Sequence, residues 1–98
     1  MSIETTDAAK NNELGPVGQE IYKRIHENLQ PEFLDVIDES ELHFGHAGYR
    51  DGGESHFKVV IAAQSMGAYN RVERHKKIYA LLDDLLKDKI HALSIIYK

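Results

Sequence analysis

The chain has 98 residues, of which 42% are hydrophobic and 29% charged, with a net charge of −4 and no cysteine. That size allows one small domain with a single core, and the composition is too apolar for a wholly disordered chain. The missing cysteines exclude a disulfide framework, a thiolate metal site and a cysteine nucleophile. The acidic total weighs against a protein whose main task is gripping phosphate backbones, although a local patch can overrule it.

No apolar run approaches the roughly 18–20 residues of a membrane span. The first residues, MSIETTDAAKNN, are polar and resemble neither a secretory signal nor an organelle presequence. The expectation is a disordered tail over 1–13, a folded domain over 14–98, and a cytoplasmic protein with no membrane partner that is a monomer when alone.

In chain order, Pro16 suits the first turn of a helix. Val17, Ile21, Ile25 and Leu29 recur every fourth residue before Pro31, which predicts an amphipathic helix. Phe33–Ile37 reads as a short strand that Asp38, Glu39 and Ser40 leave. His56–Ala62 reads as a second strand, with Phe57, Val59 and Ile61 inward and His56 and Lys58 on the other side. A linker with Gly67 follows. Asn70 and Glu73 are spaced as a reciprocal helix cap. The pattern then predicts one long helix over Arg71–Lys87, with an apolar stripe through Val72, His75, Tyr79, Leu82 and Leu86. Ile90–Tyr97 reads as a last strand.

Two strands joined by a loop favour an antiparallel pair, and two joined through a helix favour a parallel one. The predicted fold is a small α+β domain of order αββαβ. Its three-stranded mixed sheet carries helices on one face, and its other face is partly open.

The loop between the first two strands is the chemically distinctive stretch, ELHFGHAGYRDGGESHF. His43 and His46 stand three residues apart, which suits a metal-binding pair on a turn and equally suits a plain polar loop. Any metal would need histidine or carboxylate ligands, and such a cluster could be completed by another protein's thiolates. By itself His91, between Ile90 and Leu93, reads as a core-edge histidine bonding a carbonyl. His56 reads as a surface strand residue that holds the loop through Glu54 or Ser55. His75 reads as a packing histidine or an orienting donor, and His26 as a solvated one.

Four stretches in order, DES (Asp38–Ser40), GESHFKVVI (Gly53–Ile61), RHKKIYALL (Arg74–Leu82) and IHALSI (Ile90–Ile95), resemble the BolA family. The resemblance runs from about Leu14 to Tyr97. It implies a fold similar to the class II KH domain and a monothiol glutaredoxin partner of the CGFS kind. The two proteins would share a bridging [2Fe–2S] cluster, with sulfur from the glutaredoxin and glutathione and imidazole from this chain. By that resemblance one ligand falls on His91 and the other on His43, with His46 as the competing loop ligand. No cluster is expected in the isolated protein. Mixed histidine and thiolate ligation is chemically sound, raises the potential relative to four thiolates, and is lost when the imidazole is protonated.

The resemblance also implies a second reading, in which some members bind nucleic acid, DNA or RNA, as stress regulators. Arg71, Arg74, His75, Lys76 and Lys77, with Lys58, would form the partner or nucleic-acid surface. The cations oppose the helix dipole at that end, which invites a functional reason. Two departures bear on this reading. The F-x-G of many members is Met66-Gly67-Ala68 here, and Lys76 stands where many have arginine. No nucleophile with an adjacent base and no paired carboxylates occur, so an enzyme is not expected.

Overall fold

A computed structural model describes residues 14–40 and 54–98 of the chain. The tail over 1–13 and the loop carrying His43 and His46 lie outside the described residues. Helix α1 (Pro16–Leu29) is followed by β1 (Phe33–Asp38), β2 (His56–Ala62), a short 3-10 turn (Gln64–Met66), α2 (Arg71–Leu81), α3 (Asp83–Asp88) and β3 (Ala92–Tyr97). The sheet order is β1-β2-β3, with β1 antiparallel and β3 parallel to the central β2. The α+β architecture with a mixed three-stranded sheet therefore stands as the strand and helix periods predict.

The core lies on one face of the sheet. Val36 of β1, Phe57, Val59 and Ile61 of β2 and Leu93 of β3 are buried there beneath Ile21, Ile25 and Leu29 of α1 and Ile78, Leu82 and Leu85 of the second helical region. Met66 is buried in the same core, where its flexible thioether fills the space beneath the helices. The opposite face stays partly open: Phe33 is 40% and Ile96 46% exposed.

Three expectations are corrected. The single long helix is two segments that meet at Leu82, whose φ of −112° and ψ of 13° leave the helical region. The cause sits in α1, because Arg24 donates to the Leu81 carbonyl at 3.1 Å and to Asp84 at 2.6 and 3.2 Å. A side chain that enters the ladder in this way breaks it. Second, the buried stripe passes through Ile78, Leu82 and Leu85 instead of Val72 and His75; Val72 is 63% exposed and His75 is exposed. The His75 ring stacks on Tyr79, at 4.5 Å between ring centroids. Third, His56 does point to the face opposite the core but is only 4% exposed, so it is a buried polar residue and not a surface one.

Candidate functional site

The two ends of the loop are fastened by side chains from DES and GES. Asp38 Oδ1 accepts from the Ser40 backbone N–H at 2.9 Å and from the Ser40 hydroxyl, while Oδ2 accepts from the Glu54 N–H at 3.0 Å. Ser40 Oγ in turn accepts from the backbone N–H groups of Ser55, at 3.0 Å, and His56, at 3.2 Å. Ser40 and Ser55 are both fully buried. Buried donors left without an acceptor cost heavily, so this small network fixes where the loop leaves the sheet and where it returns.

Glu54 sits at φ 63°, in the left-handed region that disfavours a side chain. Its carboxylate offsets that strain at the start of α1. Gly15, the residue before the helix, supplies no side-chain cap, and Glu54 Oε2 accepts from Val17 N–H at 2.8 Å and Gly18 N–H at 3.1 Å. A carboxylate at a helix N-terminus also suits the helix dipole. A Cβ at position 15 would lie 2.5–2.7 Å from the Glu54 carboxyl atoms, so a larger residue there displaces the carboxylate from this position.

His91 joins this corner through its backbone. The N–H groups of His91 and Ala92 both donate to the Ser55 carbonyl, at 2.7 and 3.2 Å. The His91 ring is exposed and lies 5.2 Å from the buried His56 ring, tilted by 53°. His56 Nδ1 is hydrogen-bonded to Ser55 Oγ at 2.8 Å. The structure thus brings His91, His56 and both loop ends together. His43 and His46 lie outside the described residues. No group of three or more histidine, aspartate or glutamate side chains among the described residues could hold a metal ion. Nothing in the composition flags Glu54, Ser40 and Ser55 as the frame of this corner, and the only signal for them is their place in the DES and GES stretches.

The cationic candidates separate into two places. Arg71, Arg74, His75, Lys76 and Lys77 share the start of α2, where the expected reciprocal cap is present: Glu73 N–H donates to Asn70 Oδ1 at 2.9 Å and Asn70 N–H to Glu73 Oε1 at 3.0 Å. Lys58 stands on the open face of β2, ion-paired with Glu39 at 3.2 Å, and does not join them. Lys77 Nζ stands over the Tyr69 ring at 4.7 Å and the Arg71 guanidinium over the Tyr97 ring at 5.8 Å. Tyr79 is held by its hydroxyl to the Leu93 carbonyl at 2.9 Å, which makes it structural. Elsewhere, the hydrogen bonds that the Arg24 guanidinium donates to Asp84 and Glu20 hold it well above its ordinary range, and Arg24 pulls Asp84 below the usual carboxylate range.

No helix among the described residues is long and apolar enough to cross a membrane. The family model described as BolA-like protein matches residues 25–98. The chain is 42% identical over 89 residues to SufE-like protein 1, chloroplastic/mitochondrial, of Arabidopsis thaliana, covering 87% of this chain but only 24% of that protein. It is 39% identical over 79 residues to the DNA-binding transcriptional regulator BolA of Haemophilus influenzae, covering 81% of this chain and 73% of that one. The solved BolA domain of SufE1 from Arabidopsis thaliana superposes with a TM-score of 0.76 at 40% identity, over 87% of this chain and 93% of that one. The solved BolA1 from the same plant gives 0.72 at 32% identity, with the same coverage. Family model, relatives and folds agree, and the chain belongs to the BolA-like family of non-catalytic proteins.

Proposed function

We propose that the protein is an adaptor in iron–sulfur and iron homeostasis that docks a monothiol glutaredoxin and shares with it a [2Fe–2S] cluster. One observation carries the reading. An exposed His91 is held by its backbone to Ser55, beside the two fastened ends of the loop that bears His43 and His46. The family resemblance carries His43 as the loop ligand, with His46 as its competitor.

The donor set fits a shared group and not a private one. With no cysteine anywhere and no cluster of ligating side chains among the described residues, this chain has imidazole to offer and needs thiolates from elsewhere. When bound, the cluster would supply a redox-active centre whose potential imidazole ligands raise. The chain's own part is to present His91 at a fixed place, with the Ser40 and Asp38 network keeping the loop ends beside it.

The test is anaerobic reconstitution with a CGFS monothiol glutaredoxin and glutathione, followed by visible absorption and circular dichroism. A spectrum distinct from that of glutaredoxin alone, saturating at one chain per glutaredoxin, is expected. His91→Ala should abolish it, and His43→Ala should weaken it more than His46→Ala. A spectrum unchanged by His91→Ala refutes the ligand assignment.

A second reading, nucleic-acid binding, is favoured by the exposed Arg71, Lys76 and Lys77, which have no ion pair among the described residues. It is also favoured by the similarity to relatives named as DNA-binding regulators. It requires an affinity that falls steeply with salt and with Arg71→Gln or Lys77→Gln. Binding that is absent, or insensitive to salt, removes it.

A further inference from the structure

At the opposite end of β3 from His91, Tyr69, Asn70, Arg71, Arg74 and Tyr97 line an open cleft of about 290 Å³. Five residues of strand separate the two places, roughly 15–20 Å. We propose that this cleft binds a phosphate monoester, as a small phosphorylated ligand, independently of the histidine corner.

Four observations support the assignment. First, the Tyr97 hydroxyl is buried and has no hydrogen-bond partner among the described residues. Such a group is costly and rare in a native fold, and Tyr97 is one of the residues that line the cleft. Burial pushes the Tyr97 phenol above its ordinary range, so it remains a proton donor. Second, no carboxylate lies within ion-pair distance of Arg71 or Arg74 among the described residues. Arg71 only stands over the Tyr97 ring. Arg74 uses Nε on the Tyr69 carbonyl, at 2.9 Å, and its two terminal nitrogens remain to donate. Third, no acid lines the cleft. The neighbouring Glu73 is committed to the Asn70 N–H. Fourth, Asn70 uses its side-chain oxygen on Glu73 N–H, which leaves the amide NH2 as a further donor.

The helix end itself is closed by its own capping box, so the site is made of side chains. Two uncompensated guanidiniums, an amide and a phenol match a dianion with three acceptor oxygens better than a monoanionic carboxylate or diester. The volume is at the small end of ligand sites, enough for the phosphate group and part of what carries it. Arg71 is exposed, so its side chain can move from the Tyr97 ring onto an anion.

The experiment is titration of the full chain, without glutaredoxin or cluster, at fixed ionic strength, following backbone amide shifts. The probes are inorganic phosphate, 5′-AMP, 3′,5′-cyclic AMP and an oligonucleotide without a terminal phosphate. Expected are saturable shifts at Asn70–Arg74 and Tyr97 with phosphate and 5′-AMP, and binding of cyclic AMP and the oligonucleotide at least about tenfold weaker. Arg71→Gln and Arg74→Gln should each weaken 5′-AMP by about tenfold or more, the scale of a charge-assisted contact. Tyr97→Phe should weaken it severalfold with no fall in thermal midpoint, which a merely structural tyrosine would not do.

Absence of saturable shifts, or 5′-AMP binding unaltered in both arginine variants, overturns the proposal. Equal binding of monoester and diester, or tighter binding of the oligonucleotide, also overturns it and assigns the cleft to a nucleic-acid backbone. None of these outcomes touches the cluster reading, whose test uses the other end of the sheet.

Discussion

The two ends of β3 treat polar groups in opposite ways. At the His91 end, Asp38 accepts from Ser40 and Glu54, Ser40 accepts from Ser55 and His56, and Glu54 accepts from the first turn of α1. At the Tyr97 end, two arginines lack a carboxylate and a buried hydroxyl lacks any partner among the described residues. A network whose donors and acceptors are matched internally holds a shape. Donors left over without partners detract from stability and are available to a ligand. The first end therefore positions His91, and the second is built to receive something.

Substitutions should separate the two ends by their effect on stability. The largest effect is expected from Ser40→Ala, which strands the Ser55 and His56 N–H groups in a buried place and should cost about 2–4 kcal/mol in urea unfolding. A loss well below that would mean that the network is not the fastening described. Next comes Glu54→Ala, expected to cost about 1–2 kcal/mol through the lost helix cap. Gly15→Ala should cost a similar amount, and the double variant should cost clearly less than the sum of the two, because both act on one contact. Additive losses would separate glycine from carboxylate.

His91→Ala, at an exposed ring, should change stability by no more than about 0.5 kcal/mol while removing the shared-cluster spectrum. A large loss of stability would make it structural instead. A smaller effect concerns acid. Asp84 titrates below its unfolded value, so its stabilisation is present above the ordinary aspartate range and is lost as pH falls through the lowered value. Asp84→Asn should flatten the acid limb of the stability curve below about pH 4, and an unchanged limb would show that the Arg24 pair is idle. At the other end, Tyr97→Phe should leave neutral-pH stability equal or slightly raised, because it removes a hydroxyl that has no partner among the described residues.

Local patterns made much of this molecule legible. The four-residue recurrence of Ile21, Ile25 and Leu29 locates α1, the alternation of Phe57, Val59 and Ile61 locates β2, and the Asn70 and Glu73 spacing locates the cap of α2. What escaped depends on residues far apart in the chain. The break at Leu82 is made by Arg24, and the start of α1 is capped by Glu54, 37 residues away from Val17. Apolar spacing alone put Val72 and His75 into the core stripe because it cannot tell which turns of a helix the rest of the chain covers; both are exposed. His91 was reached through the resemblance, since an exposed histidine beside a strand has no local signature. The arginine cleft escaped because it joins residues of α2 to a phenol of β3 that has no partner among the described residues.

The Glu54 cap gives the histidine corner an observer at a distance. The same carboxylate that ends the loop shields the Val17 and Gly18 amides. Any partner that pulls the returning strand away from α1 deprives those two amides of their acceptor. Their hydrogen-exchange rates should then rise, so a docking event at one corner can be timed from a helix the partner never touches.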